Sequence, residues 1–117
     1  SKASKVMDLD IVDYTAGPIF MKAGEKGAHQ WLIEFKEPPD DTIKFTKLLD
    51  QFLKEVNSDY EAKRYKNITL EMPKVNIAKK DLFYNWMAQK NKLGGQHKVP
   101  RLSNHRDLLE ELMKKNN

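Results

Sequence analysis

The stretch His29–Phe35 reads HQWLIEF, with Trp31, Ile33 and Phe35 on one side of an extended chain and Gln30, Leu32 and Glu34 on the other. That period of two is the pattern of a β-strand. Working upstream, Leu9–Met21 (LDIVDYTAGPIFM) sets Val12, Tyr14 and Ala16 against Asp13 and Thr15. This is a second strand, which Gly17-Pro18 breaks or bends because proline cannot donate a ladder bond. Ala23–Ala28 (AGEKGA) supplies a turn or short loop between the two, and a hairpin is the economical reading.

Downstream, Glu37-Pro38-Pro39-Asp40 stops the strand, and Asp40 or Asp41 can cap a helix. Phe45, Leu48, Leu49, Phe52, Leu53 and Val56 form its apolar stripe at helical spacing. Ser58 and Glu61 have capping-box spacing, which points to a short second helix over Asp59–Tyr65. Ile68–Met72 alternates as a third strand that Pro73 ends or marks as an edge. Lys79–Lys92 reads as a long helix with Leu82, Phe83, Trp86, Met87 and Lys90 on one stripe, and Gly94 suits its left-handed C-cap. Gln96–Leu102 is extended, since the residue before Pro100 avoids the helical region. Ser103 or Asn104 then caps a last helix carrying Leu108, Leu109, Leu112 and Met113. The expected fold is therefore α/β of the α+β type: a small mixed sheet of about four strands with three main helices packed on it. Residues 9–117 read as one domain, and Ser1–Asp8 as a tag scar or the stub of a preceding helix.

The chain has 117 residues, enough for one modest core. It has no cysteine, which removes disulfides and thiol chemistry and suits a reducing compartment. With no apolar run near a membrane span and no signal-peptide pattern, the expected location is the cytoplasm and no membrane partner is expected. Net charge is +4, from 21 basic and 17 acidic residues that are interspersed. Lys63, Arg64 and Lys66 form one basic cluster, and Lys90, Lys92, Lys98 and Arg101 another. Solvated lysines on helix faces account for both, and nucleic acid is not an expected partner.

Few motifs carry chemistry. There is no Walker loop and no G-x-G-x-x-G. Gly24-Glu25-Lys26-Gly27 matches the G-x-x-G of KH domains, but it lies between two strands rather than two helices. His29, His97 and His105 have no zincin spacing, so no metal site is expected. Ser103 and His105 read as a helix N-cap region rather than as two members of a triad. Gly94–Ser103 (GGQHKVPRLS) differs from the rest. Two glycines free the backbone to turn, and Pro100 stiffens the extension. Gln96, His97, Lys98 and Arg101 then present four polar or cationic side chains, suited to a phosphate or carboxylate. From chemistry alone, a helix C-cap followed by an edge strand with solvated charges serves equally well.

The segment Lys92–Leu112 (KLGGQHKVPRLSNHRDLLEEL) resembles the C-terminal signature of the Gretchen Hagen auxin-responsive family of acyl-acid amido synthetases. Asp13–Pro18 (DYTAGP), Gly27–Phe35 (GAHQWLIEF) and Leu53–Lys66 (LKEVNSDYEAKRYK) agree with it in order. The resemblance implies the C-terminal domain of an adenylate-forming enzyme. Its partner would be an N-terminal adenylating domain of the same chain, with an acyl acid and an amino acid as substrates. ATP and Mg2+ are implied for the full enzyme, and none is expected on this chain. The small domain would act as a mobile cap, inactive alone. By carry-over, Lys98 is the candidate catalytic phosphate contact and Arg101 a second cation, while Gln96 and His97 shape the loop. An aromatic usually precedes this lysine in the family; here the residue is His97. The alternative is a stand-alone nucleic-acid-binding or structural interaction module.

Overall fold

A computed structural model describes residues 11–20, 26–67, 69–90, 99 and 101–117. Within it, β1 (Ile11–Ile19) and β2 (Ala28–Phe35) pair antiparallel, as the hairpin reading requires. β3 (Lys74–Ile77) runs parallel to β2 along its other edge, so β2 is the central strand. The helices are α1 (Thr42–Val56), α2 (Ser58–Arg64), α3 (Leu82–Gln89) and α4 (Asp107–Lys115).

The period of two in β2 sorts the core into two clusters. Trp31, Ile33 and Phe35 pack with Ala16 of β1 and with Phe45 and Leu49 of α1. Leu32 points the other way, into Leu82, Phe83 and Trp86 of α3 and Leu109 and Leu112 of α4. The sheet is thus sandwiched, with α1 on one face and α3 and α4 on the other. Gly17 permits the α4 side to close: a Cβ there would lie 3.1 Å from the His105 carbonyl oxygen and 3.3 Å from Leu109. Val12 is half exposed despite its apolar character because the register slips between Ile11 and Asp13, leaving it as the extra residue of a bulge.

Several local expectations shift. Three strands form among the described residues, and the third begins after Pro73 instead of ending there. The reason lies at Leu70. Its N–H donates to the Lys63 carbonyl at 3.0 Å, and its own carbonyl accepts from Arg64 Nη1 at 3.1 Å. Both backbone groups are taken by the end of α2, so Leu70 makes a single bridge to Gly27 and no ladder propagates among the described residues. Among the described residues of the extended segment before α4, pairing with β1 is one parallel bridge, Leu102 to Ala16.

Helix starts shift too. Asp41 caps α1, accepting from Lys44 N–H at 3.0 Å. Asn57, not Ser58, caps α2, its Oδ1 accepting from Tyr60 N–H at 3.0 Å. α3 starts at Leu82 rather than Lys79, because Asp81 sits in the left-handed region with φ 64°. Asp81 makes no side-chain cap, and the buried Glu34 carboxylate of β2 accepts its N–H instead, at 3.1 Å. Ser103 Oγ accepts from His105 N–H at 3.1 Å, one turn ahead of α4, whose N-cap position is Arg106.

α1 and α2 are joined by a buried polar knot. Asp50, on α1, accepts from Arg64 Nε at 2.7 Å, Arg64 Nη2 at 2.8 Å and the Tyr60 hydroxyl at 2.6 Å. Arg64 also donates to Asn67 in the turn that follows α2, where Lys66 and Asn67 both take positive φ.

Candidate functional site

The cationic segment is described at its base only. Gly94, Gln96, His97, Lys98 and Pro100 lie outside the described residues. On the entry side, the C-cap of α3 is Lys90, whose ammonium pairs with Glu111 of α4 at 3.1 Å. On the exit side, Val99 is 2% exposed and belongs to the core cluster of Leu32, Phe83, Trp86, Leu109 and Leu112. Residues 101–103 then lie against β1: Ala16 N–H donates to the Arg101 carbonyl at 2.9 Å, and Ser103 N–H donates to the Ala16 carbonyl at 3.1 Å.

Arg101 is the one sequence-predicted site residue within the described set. Its guanidinium pairs with the Asp13 carboxylate, and Nη1 also reaches the Tyr14 carbonyl at 3.4 Å. The group lies over the Tyr14 ring, 4.7 Å from its centroid. Tyr14 in turn packs on Trp31, with ring centroids 5.5 Å apart. Neither Asp13 nor Tyr14 is legible as an Arg101 partner from spacing alone, since they are 88 and 87 residues away.

A second polar rail crosses the sheet near the start of α4. Arg106 donates from Nη1 to the Pro18 carbonyl at 2.9 Å and from Nη2 to Gln30 Oε1 at 3.0 Å. Gln30 Nε2 donates onward to Asn76 Oδ1 at 2.8 Å. One arginine thus ties α4 to all three strands. Its strand acceptors are neutral, and its charge is matched within the same helix by Glu110, whose carboxylate accepts from Nε at 3.2 Å.

The sequence profile of the GH3 family C-terminal domain matches residues 1–107. The chain belongs to the GH3 family C-terminal domain. Among solved structures, GH3.15 acyl acid amido synthetase superposes with a TM-score of 0.67 at 16% identity, over 98% of this chain and 21% of that one. AtGH3.15 acyl acid amido synthetase in complex with 2,4-DB gives 0.68 at 15% identity, with the same coverage. This chain therefore spans about a fifth of the length of those structures. At this identity they support the fold. A search of the curated proteins found no match.

Elsewhere on this GH3 domain, a cleft of about 610 Å³ opens where β2 and β3 end against α3, with Glu34, Lys36, Lys79 and Lys80 among its walls. Arg101 does not line it. Among the described residues no group of three His, Asp or Glu side chains is placed to hold a metal ion. No described helix is long and apolar enough to cross a membrane.

His29 sits half-buried at the start of β2, stacked on Tyr60 with centroids 6.1 Å apart. Burial, and then the Lys63 charge, hold its pKa below the ordinary 6.5. The unfolded chain therefore takes up the proton first as pH falls. Stability from the neutral ring is present above 6.5 and is lost on acidification. Urea midpoints at about pH 7.5 and about pH 5.5 test this. The His29→Gln chain is expected to lose less stability between them than the native chain. Equal losses would remove His29 as the acid-sensitive group.

Proposed function

We propose that this domain is the mobile cap of an ATP-dependent acyl-acid amido synthetase, working in the cytoplasm against an adenylating domain of the same polypeptide. The observation that carries the reading is the GH3 C-terminal match over residues 1–107. The activity runs in two stages: the acyl carboxylate is joined to AMP with loss of pyrophosphate, and an amino acid amine then displaces AMP to give the amide. The first stage builds negative charge on phosphorus and needs a fixed cation; the second needs an open face for the amine. A cap with a cationic segment serves the first stage and withdraws for the second. Lys98 supplies that cation, and Gln96 and His97 shape the loop around it. The segment leaves from Val99, which is held in the core, so the cation stands one residue from a rigid point. In this reading ATP and Mg2+ belong to the full-length enzyme; among the described residues no group of three His, Asp or Glu side chains is placed to hold the metal. The domain alone is inactive, because one cationic segment has no nucleotide to act on.

The test is Lys98→Ala in the full-length protein. Pyrophosphate exchange, which reports adenylate formation, is expected to fall by about 10²–10³-fold, the cost of removing one preorganised charge-stabilising donor. Unchanged exchange together with unchanged amide formation would remove Lys98 from the mechanism. A reading frame with no adenylating domain ahead of Ser1 would remove the cap role as a whole.

A further inference from the structure

We infer that Arg101 is a positioning residue rather than a phosphate ligand: with Asp13 and Tyr14 it clamps the base of the cationic segment to β1. The inference rests on the proposed function for its catalytic consequence, but the clamp itself is a property of this fold.

The charge on Arg101 is already matched. Its guanidinium pairs with Asp13, whose Oδ1 also accepts the Tyr14 N–H at 2.8 Å, so the carboxylate is fixed to the β1 backbone. The Asp13 side chain is 18% exposed and the Arg101 side chain 43%. A phosphate approaching that guanidinium would meet the Asp13 carboxylate beside it, and like charges so close oppose binding. The ring of Tyr14 beneath the guanidinium adds a cation–π contact that lysine would reproduce only in part, because an ammonium lacks the guanidinium's planar fork for pairing with Asp13 at the same time. Tyr14 is itself seated on the buried Trp31. The load path runs from Arg101 through Tyr14 to the centre of the sheet.

The backbone repeats the fastening. Two hydrogen bonds to Ala16 hold residues 101 and 103, and Val99 is sunk between α3 and α4. Val99 is thus held by its side chain, and Arg101 and Ser103 by their backbone, to elements on both sides. Lys98 immediately precedes this held stretch. A cap that swings as a body delivers its cation to the same place each time only if the cation's own mooring is stiff. Displacement of about 1 Å in a reacting geometry costs on the order of a hundredfold in rate. Asp13 thus serves the segment from the far end of the sequence.

The experiment compares Asp13→Asn, Arg101→Gln, Arg101→Lys and the double variant D13N/R101Q in the full-length protein. The clamp predicts that D13N and R101Q each lower kcat of pyrophosphate exchange by about tenfold to a hundredfold, with KM for ATP little changed. The double variant should be no worse than the worse single, because both remove one device. R101K should restore only part of the loss. The result that overturns the inference is an Arg101→Gln loss expressed in KM for ATP while Asp13→Asn stays at the native rate or above it, since that is the behaviour of a direct phosphate ligand. Amide hydrogen exchange at Ala16 and Ser103 supplies a readout independent of activity. Both variants should speed it by about tenfold or more as the clamp opens. Unchanged exchange at both amides overturns the clamp even in an active enzyme. A native protein without pyrophosphate exchange overturns the proposed function instead and leaves the clamp to be decided by those amides.

Discussion

Replacing Asp50 with alanine lowers the stability of the chain by about 3–5 kcal/mol, the range for breaking one side of a buried ion pair. Asp50 and Arg64 are 4% and 6% exposed, so removal of the carboxylate leaves a guanidinium in the interior with its main acceptor gone. Lys54 stands 3.4 Å from the same carboxylate and loses its partner too. The cost comes from the stranded charge more than from the lost attraction. For that reason the pair exchange Asp50→Leu with Arg64→Met should recover much of what the single change loses, and Tyr60→Phe should cost only about 1 kcal/mol, one hydrogen bond. Burial by itself would raise the Asp50 pKa, but hydrogen bonds from Arg64 and Tyr60, with the charges of Arg64 and Lys54, hold it below the ordinary 3.8. The stabilisation is therefore present above 3.8 and is lost as pH falls through the lower folded value. Urea unfolding at neutral pH with an unchanged m-value is the measurement. A loss under about 1 kcal/mol for Asp50→Ala would mean the knot is solvated and not buried.

The knot also marks where reading the sequence reached its limit. Periodicity places α1 because its apolar residues recur at helical spacing, but the same stripe assigns Val56 to the core, and Val56 is 62% exposed. The buried position next to that stripe is filled by Asp50, a residue type that pattern counting assigns to solvent. Nothing local announces that a guanidinium 14 residues later will neutralise it. The hairpin was legible because β1 and β2 each carry their own alternation, whereas β3 has four residues, too few to outweigh the stronger-looking Ile68–Met72. Caps were ambiguous for a physical reason as well: Ser, Asn and Asp compete for the same orphan amides, and the extended backbone at Asn57 places its side chain, not that of Ser58, on the Tyr60 amide. At the site, residue types single out Gly94–Ser103 as a cationic segment but assign it no role. The role of Arg101 could not, because the residues that define it lie on the first strand. What linked the segment to a reaction was the resemblance in ordered residues, with no help from composition or charge.

Phe83→Ala is expected to cost about 3–5 kcal/mol, and its consequence reaches the cationic segment. Phe83 heads the fully buried side chains by volume and is 2% exposed. It shares one cluster with Leu32 of the central strand, Leu82 and Trp86 of α3, Leu109 and Leu112 of α4, and Val99. Truncation removes apolar contact from this cluster and leaves a cavity that the sheet, fixed by its ladders, can only partly fill. Phe83→Leu keeps most of the volume and should lose roughly half as much or less. Tyr84→Ala, one residue on but 60% exposed, should stay within about 0.5 kcal/mol. A Phe83→Ala loss no larger than that of Tyr84→Ala would contradict the packing described for α3. Because Val99 is seated in the same cluster, the cavity also loosens the point from which the cationic segment departs. In the full-length protein, at a temperature where the variant remains folded, Phe83→Ala should therefore slow pyrophosphate exchange in kcat while Tyr84→Ala does not. The two measurements separate the contributions of this core: one reads how much the cluster holds the domain together, the other how firmly it holds the segment that the reaction would use.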